Sequence, residues 1–164
     1  MTTAIRNAIE ADVPEILSLI RALAAYERAP DAVKATESDL RKHGFGPYAY
    51  YQCLLAETDG RPAGFAFYFF DYSTWMGRPG IYLEDLFVYP EFRGRGIGKS
   101  LLRRVAAVAV DKGCARLKWE VLDWNTPAIE FYSTMGAELT AEWQTMRVTG
   151  ENLARLAGTA EAAQ

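Results

Sequence analysis

The chain has 164 residues, 50% hydrophobic and 24% charged, with a net charge of −3. That length and balance fit one globular domain with one core, and the acidic charge argues against a nucleic-acid partner, which needs a basic face. No stretch reaches the ~18 consecutive apolar residues of a membrane span, and the opening "MTTAIRNAIEADVPE" lacks the basic and then apolar blocks of a signal peptide, so a cytoplasmic protein is expected.

Residues 3–9 read as a first strand. In "DVPE", Asp12 is set to cap a helix, Pro14 sits in its first turn and Glu15 completes a capping-box pattern. Ile16, Leu19, Ile20 and Leu23 follow at helical spacing as one apolar stripe. A shorter helix is expected over 37–43. "RKHGFG" reads as its end, with His43 in a last turn that favours cations and Gly44 as a left-handed cap. His43 is the only histidine, so no metal site is expected. Cys53 and Cys114 read as buried thiols.

Strands follow. "YYQCLLAET" is rich in β-formers and Asp59-Gly60 is a hairpin signal. "PAGFAFYFFDYS" continues as an aromatic strand, and "GIYLEDLFVYP" as another, stopped by Pro90. Leu101, Leu102, Val105, Val108 and Ala109 mark a helix over 100–112, ended by Gly113. "ARLKWEVL" reads as a strand, "TPAIEFYSTMG" as a helix with Pro127 in its first turn and Gly136 past its end, "EWQTMRV" as a last strand and "TAEAAQ" as a frayed tail. The order β-α-α-β-β-β-α-β-α-β predicts a mixed-sheet α/β fold. A single domain over 1–164 is expected, its core at about 3–157 and a tail at 158–164. The strand at 81–89, the helix at 98–112 and the strand at 115–122 form one βαβ unit, whose strands should be parallel.

"PEFRGRGIGKS" looks built to hold phosphate. A P-loop would need glycine where Arg93 stands, and a dinucleotide fingerprint would need glycine where Lys99 stands. The stretch fits R-x-x-G-x-G instead, through Arg93, Gly96 and Gly98. A strand ends at Pro90, the chain arches through glycines, and the helix at 98–112 begins. The first helical N–H groups lack intrahelical partners and the dipole is positive there. With Arg93, Arg95 and Lys99 beside it, the arch is a cradle for a diphosphate.

Other residues invite a chemical reading. Glu84 and Asp85 lie mid-strand in "YLEDLFV", where alternation puts them on opposite faces. A carboxylate inside a strand this apolar needs a partner or a task. Tyr26, Glu27, Trp75, Glu84, Glu120, Glu142 and Trp143 are candidates for handling a cation, because aromatic faces and carboxylates both attract an ammonium.

In R-x-x-G-x-G the sequence resembles the GNAT acetyltransferases, whose acetyl-CoA motif lies between the fourth strand and the third helix. "YLEDLFVYPEFRGRGIG", "WNTPAIEFYSTMGA" and "LIRALAAYE" resemble the diamine acetyltransferases within that superfamily, and "YSTWMGRPGIYLEDLFV" and "DKGCARLKWEVLDWN" its thialysine Nε-acetyltransferase branch. The resemblance implies a single-domain GNAT fold, acetyl-CoA as donor and a small cationic amine as acceptor. Glu84 is then the residue that helps deprotonate the amine, through water, and Tyr132 the acid that protonates the CoA thiolate. The backbone of Leu86, Phe87 and Val88 pairs with the pantetheine amides. The arch from Arg93 through Gly94, Arg95, Gly96, Ile97, Gly98 and Lys99 takes the diphosphate, and Asn125, Thr126, Pro127, Ala128 and Met135 complete the CoA contacts. On the acceptor side it promotes Tyr26, Glu27, Glu84, Lys118, Trp119 and Glu120.

One departure bears on the acceptor. Spermidine/spermine acetyltransferases carry an acidic residue two places before the tryptophan of the loop "DYSTW", where Ser73 stands here. Ser73 and Thr74, beside Trp75, suit the carboxylate of an amino acid and favour a lysine-like side-chain amine such as thialysine over a polyamine. The stretch between Gly136 and Trp143 is shorter than in the family, which bears on Glu142. The resemblance also implies a homodimer. A non-catalytic acyl-CoA sensor is the rival of another class, and a nucleotide-binding protein is disfavoured by the failed P-loop spacing.

Overall fold

The computed structural model describes residues 2–140 and 142–159. Five strands form one sheet in the order β1-β2-β3-β4-β5: β1 Thr3–Asn7, β2 Gln52–Thr58, β3 Arg61–Ser73, β4 Arg78–Val88 and β5 Leu117–Lys118. The first four are antiparallel and β5 runs parallel to β4, as a βαβ crossover requires. The helices are α1 Val13–Tyr26, α2 Glu37–Gly44, α3 Ile97–Asp111, α4 Thr126–Thr134 and α5 Glu151–Leu156. The mixed sheet expected from the sequence is present, and β4, α3 and β5 make the expected crossover. The chain divides into two units, one through Glu120 that holds the sheet and α1–α3, and one from Val121 that holds α4 and α5.

The apolar stripe of α1 goes into the core. Ile16, Leu19 and Leu23 are buried together with Val13 and Leu17, and they pack with Leu40 of α2 and with Tyr51, Leu55, Phe65 and Phe87 on one sheet face. Full burial of one such side chain stabilises the fold by about 1.5–3 kcal/mol. Leu101, Leu102, Val105 and Ala109 are the buried stripe of α3. Asp59 and Gly60 both have positive φ, 49° and 73°, as a two-residue hairpin turn requires. No helix among the described residues is long and apolar enough to cross a membrane.

Several local expectations need correction. Asp12 does not cap α1 with its side chain. Its carboxylate instead receives two hydrogen bonds from Arg6, at 2.7 and 2.9 Å, and the Ile9 N–H at 2.7 Å, closing a 3-10 turn before the helix. β1 therefore ends at Asn7. Gly44 is not a left-handed cap: it lies within α2, and a Cβ there would come 2.2 Å from the Tyr51 ring, so close packing is what requires glycine. Cys53 is buried as expected, and burial pushes its thiol pKa up, but Cys114 is only half-buried. "EWQTMRV" is not a strand: it forms no ladder with any described strand, and β-forming residues that do not pair stay irregular. The helix α5 was not foreseen. Most of the predicted tail, 160–164, lies outside the described residues.

Candidate active site

The site begins with a fault in the ladder between β3 and β4. Phe67 pairs with Asp85 and Tyr68 with Leu83, so Glu84 is an extra residue with no partner on β3. Such a bulge interrupts the alternation of side chains and increases the local twist. Up to Leu83 the α1-facing side of β4 is occupied by even-numbered residues, as the stacking of Tyr82 on Phe69 shows at 5.1 Å. Beyond the bulge it is occupied by odd-numbered ones, with Asp85 opposite Phe67 and Phe87 opposite Phe65. Glu84 and Asp85 therefore lie on one face, and the expectation that alternation separates them is overturned.

The same bulge explains why β5 is short. β5 pairs with β4 only at Ile81↔Leu117 and Tyr82↔Lys118, and the ladder stops where β4 bends at Glu84. The strand expected over 115–122 is thus cut to two residues. Residues 83–88 of β4, which include Leu86, Phe87 and Val88, have no described strand on the edge away from β3. An edge of unpaired N–H and C=O groups is a template for an amide-bearing ligand.

Four carboxylates gather beside the bulge. Burial pushes the Asp85 carboxyl up to about 7, with Glu84 and Glu27 adding repulsion. Glu84 is exposed, yet neighbouring protein atoms and then the charge of Glu120 raise its pKa. Glu27, the residue after α1, is raised by burial. Like charges so close disfavour full ionisation, and a cation placed among them relieves the repulsion.

The glycine arch is also formed. A 3-10 turn, Pro90–Phe92, follows β4; Gly94 and Gly96 have φ of 73° and 76°, and α3 starts at Ile97. A side chain at Gly94 or Gly96 would meet open space, so the backbone conformation alone demands glycine there. The first bond of α3 runs from the Ser100 N–H to the Gly96 carbonyl, so the N–H groups of Ile97, Gly98 and Lys99 have no intrahelical acceptor. Arg95 lies over the Phe92 ring and Lys99 is exposed. Arg93 turns elsewhere. Its Nε donates to the Val88 carbonyl at 2.9 Å, and its guanidinium lies 4.7 Å from the Tyr26 ring centroid and 5.4 Å from that of Phe87. Arg93 ties the arch to the end of β4, and one face of Tyr26 already carries a cation.

The remaining predicted residues differ in placement. Ser73 is buried in the β3–β4 turn, where its Oγ accepts the Met76 N–H, and this burial, rather than that bond, sets it apart from the exposed position expected for a contact to a ligand carboxylate. Thr74 is exposed and Trp75 is 87% exposed in the same turn. Lys118 is held by Asp71 at 2.9 Å, Trp119 is half-buried and Glu120 exposed. Asn125, Thr126, Pro127, Ala128, Tyr132, Met135 and Glu142 belong to the C-terminal unit. Asn125 is the residue before α4, and its carbonyl accepts the Ala128 and Ile129 N–H groups. Half-buried Tyr132 packs on Phe131 at 5.2 Å, and its carbonyl accepts the Met135 and Ala137 N–H groups. Glu142 and Trp143 are exposed.

Sequence reasoning missed Asp71 and Arg116. Arg116 Nη2 donates to Asp71 Oδ2 at 3.0 Å, the oxygen that Lys118 also shares. The available signal was a lone carboxylate in the aromatic run "FYFFDYS".

The model of the acetyltransferase (GNAT) family matches residues 15–137. A thialysine N-epsilon-acetyltransferase from Bos taurus is 47% identical over 165 residues, covering 94% of this chain and 96% of the relative. A spermidine/spermine N(1)-acetyltransferase-like protein from Homo sapiens is 37% identical over 93% of this chain, but over only 23% of its own length. Among solved structures, an integron cassette protein from the mobile metagenome of V. cholerae superposes with a TM-score of 0.81 at 28% identity, covering 96% of this chain and 98% of the other.

Proposed function

The chain belongs to the acetyltransferase (GNAT) family and is an N-acetyltransferase, and from that premise we propose that it moves the acetyl group of acetyl-CoA to the side-chain amine of a lysine-like amino acid such as thialysine. The observation that carries this reading is the bulge at Glu84, which puts an open strand edge and four carboxylates side by side. The open edge of β4 suits the amides of pantetheine, and the arch N–H groups of Ile97, Gly98 and Lys99 suit the diphosphate. The carboxylates suit an ammonium.

In the proposed reaction, Glu84 takes a proton from the acceptor ammonium through water, because an alkylammonium with a pKa of about 10 has no lone pair to attack with. The amine nitrogen then bonds to the thioester carbon, a backbone N–H of the β4 edge receives the oxyanion, and the C–S bond breaks. As the bond breaks the nitrogen loses its second proton to water, and Tyr132, in the role carried over from the family, gives its phenol proton to the departing thiolate and regains one from solvent. The products are the N-acetyl amine and CoA thiol.

A polyamine acceptor is the second reading, since four carboxylates also suit a chain of ammonium groups and one relative carries that name. We further propose one catalytic domain, a cytoplasmic location and a homodimer. The dimer is supported by apolar side chains of the irregular C-terminal stretch that meet solvent, among them Leu139, Trp143 and Met146. A screen of thialysine, lysine, spermidine, spermine and short diamines, reading free CoA thiol, tests the acceptor. Release with thialysine ahead of the polyamines is expected. No thiol with any amine would leave an acyl-CoA sensor in place of an enzyme.

A further inference from the structure

The acidic patch is one end of a longer strip on the same sheet face. From the bulge outward, that face presents Glu84, then Tyr82 stacked on Phe69, then Gly80 opposite Asp71. On the parallel strand beside it come Lys118, whose ammonium lies 5.5 Å from the Tyr82 ring centroid, and Arg116. Glu120 follows Lys118 by two residues, as Glu84 follows Tyr82. The strip is therefore acidic at one end and basic at the other.

The basic end is not neutralised. Arg116 and Lys118 bring two positive charges, Asp71 one negative, and both cations share the single oxygen Oδ2. Asp71 Oδ1 is buried without a hydrogen-bond partner, and Gly80 leaves the room it occupies. Burial works against the charged form of Asp71, but hydrogen bonds from Lys118 and Arg116 outweigh it and hold the carboxyl below its ordinary value. The two cations are substantially exposed, with side chains 39% and 47% accessible, while Asp71 is at 18%. A second carboxylate arriving from solvent would meet two partly exposed cations, each able to give a charge-assisted hydrogen bond.

We propose that Lys118 and Arg116, set by Asp71, read the α-carboxylate of the acceptor and so select an amino acid over a polyamine. Resting on the acetyl-transfer reading above, this assigns to the pair the role that buried Ser73 does not fill. Two residues of strand separate the Lys118–Tyr82 level from the Glu84–Glu120 level, a rise of about 7 Å. An extended lysine-like side chain has a comparable reach, so its amine meets the carboxylates while its carboxylate meets Lys118. A polyamine would place an ammonium against two cations instead.

The test compares thialysine with its carboxamide, which keeps both amines and lacks the negative charge. A charge-assisted hydrogen bond of ordinary strength corresponds to about tenfold or more in affinity, so the wild-type enzyme should favour thialysine over the amide in kcat/KM by roughly that factor. Lys118→Gln should collapse this preference toward one, and Arg116→Gln should weaken it. Asp71→Asn, which removes the competing carboxylate, should shift the preference the opposite way. If the cluster only pins β5 to β3, a variant changes both acceptors alike and the ratio stays put, which overturns the proposal. So does a wild-type ratio near one, a result that needs no variant to fold. If both compounds are inert while spermidine is acetylated, the amino-acid reading fails before this inference is reached.

Discussion

Replacing Asp85 by asparagine removes a titration that the fold makes unfavourable. The Asp85 carboxyl rises from an ordinary 3.8 to about 7, roughly three pH units at about 1.4 kcal/mol each. At pH 3 both folded and unfolded chains hold the proton, and the residue contributes no difference. Between about 4 and 7 the unfolded chain releases its proton while the folded one keeps it. The folded state therefore binds more protons in this window, and stability falls as pH rises. Above 7 the penalty levels off at about 4 kcal/mol, an upper bound because Glu84 and Glu27 share it. Asparagine stays neutral throughout. Urea denaturation of both proteins at several pH values, taken as the difference between them, cancels the titration of other groups. The variant should gain on wild type by up to about 4 kcal/mol between pH 4 and pH 8. A difference that is flat with pH would refute the placement of Asp85 among like charges.

Three further outcomes bear on the chemistry. Tyr132→Phe should lower kcat by roughly a hundredfold or more, in the range of a lost general acid, while calorimetry finds acetyl-CoA affinity little changed. Glu84→Gln should lower kcat/KM for the amine by about tenfold to a hundredfold and recover part of the loss at high pH, where free amine is abundant; a pH–rate profile reads this. Gly96→Ala forces a side chain into a φ of 76°, at a cost of roughly 1–2 kcal/mol, and should weaken acetyl-CoA binding more than it lowers the melting temperature.

What the sequence made legible is what depends on near neighbours along the chain. The stripe of α1 needs only helical spacing, the Asp59-Gly60 turn only two residues that accept positive φ, and the arch only glycines ahead of a helix. The C-terminal strand failed for the opposite reason. Its β-forming residues state a preference, and a strand also needs an edge to pair with, which is a property of some other part of the molecule. Ser73 likewise looked available because nothing nearby in sequence announces that the β3–β4 turn buries it.

The bulge is the sharpest case, because the site depends on it. Read alone, β4 alternates, and alternation separates Glu84 from Asp85. The extra residue exists only relative to β3, where Phe67 and Tyr68 are adjacent while their partners, Asp85 and Leu83, are not. That one mismatch brings the two carboxylates to one face, stops the ladder to β5 and opens the edge at 83–88. A substitution at Glu84 that keeps the chain length keeps all of this and changes only the carboxylate. Deleting the residue would restore regular pairing, with Leu83 still opposite Tyr68 and Tyr82 still opposite Phe69, and would remove the bend along with the carboxylate. Loss of acetyl-CoA binding together with amine binding in the deletion, against loss of amine turnover alone in Glu84→Gln, would separate the bulge as architecture from Glu84 as a base.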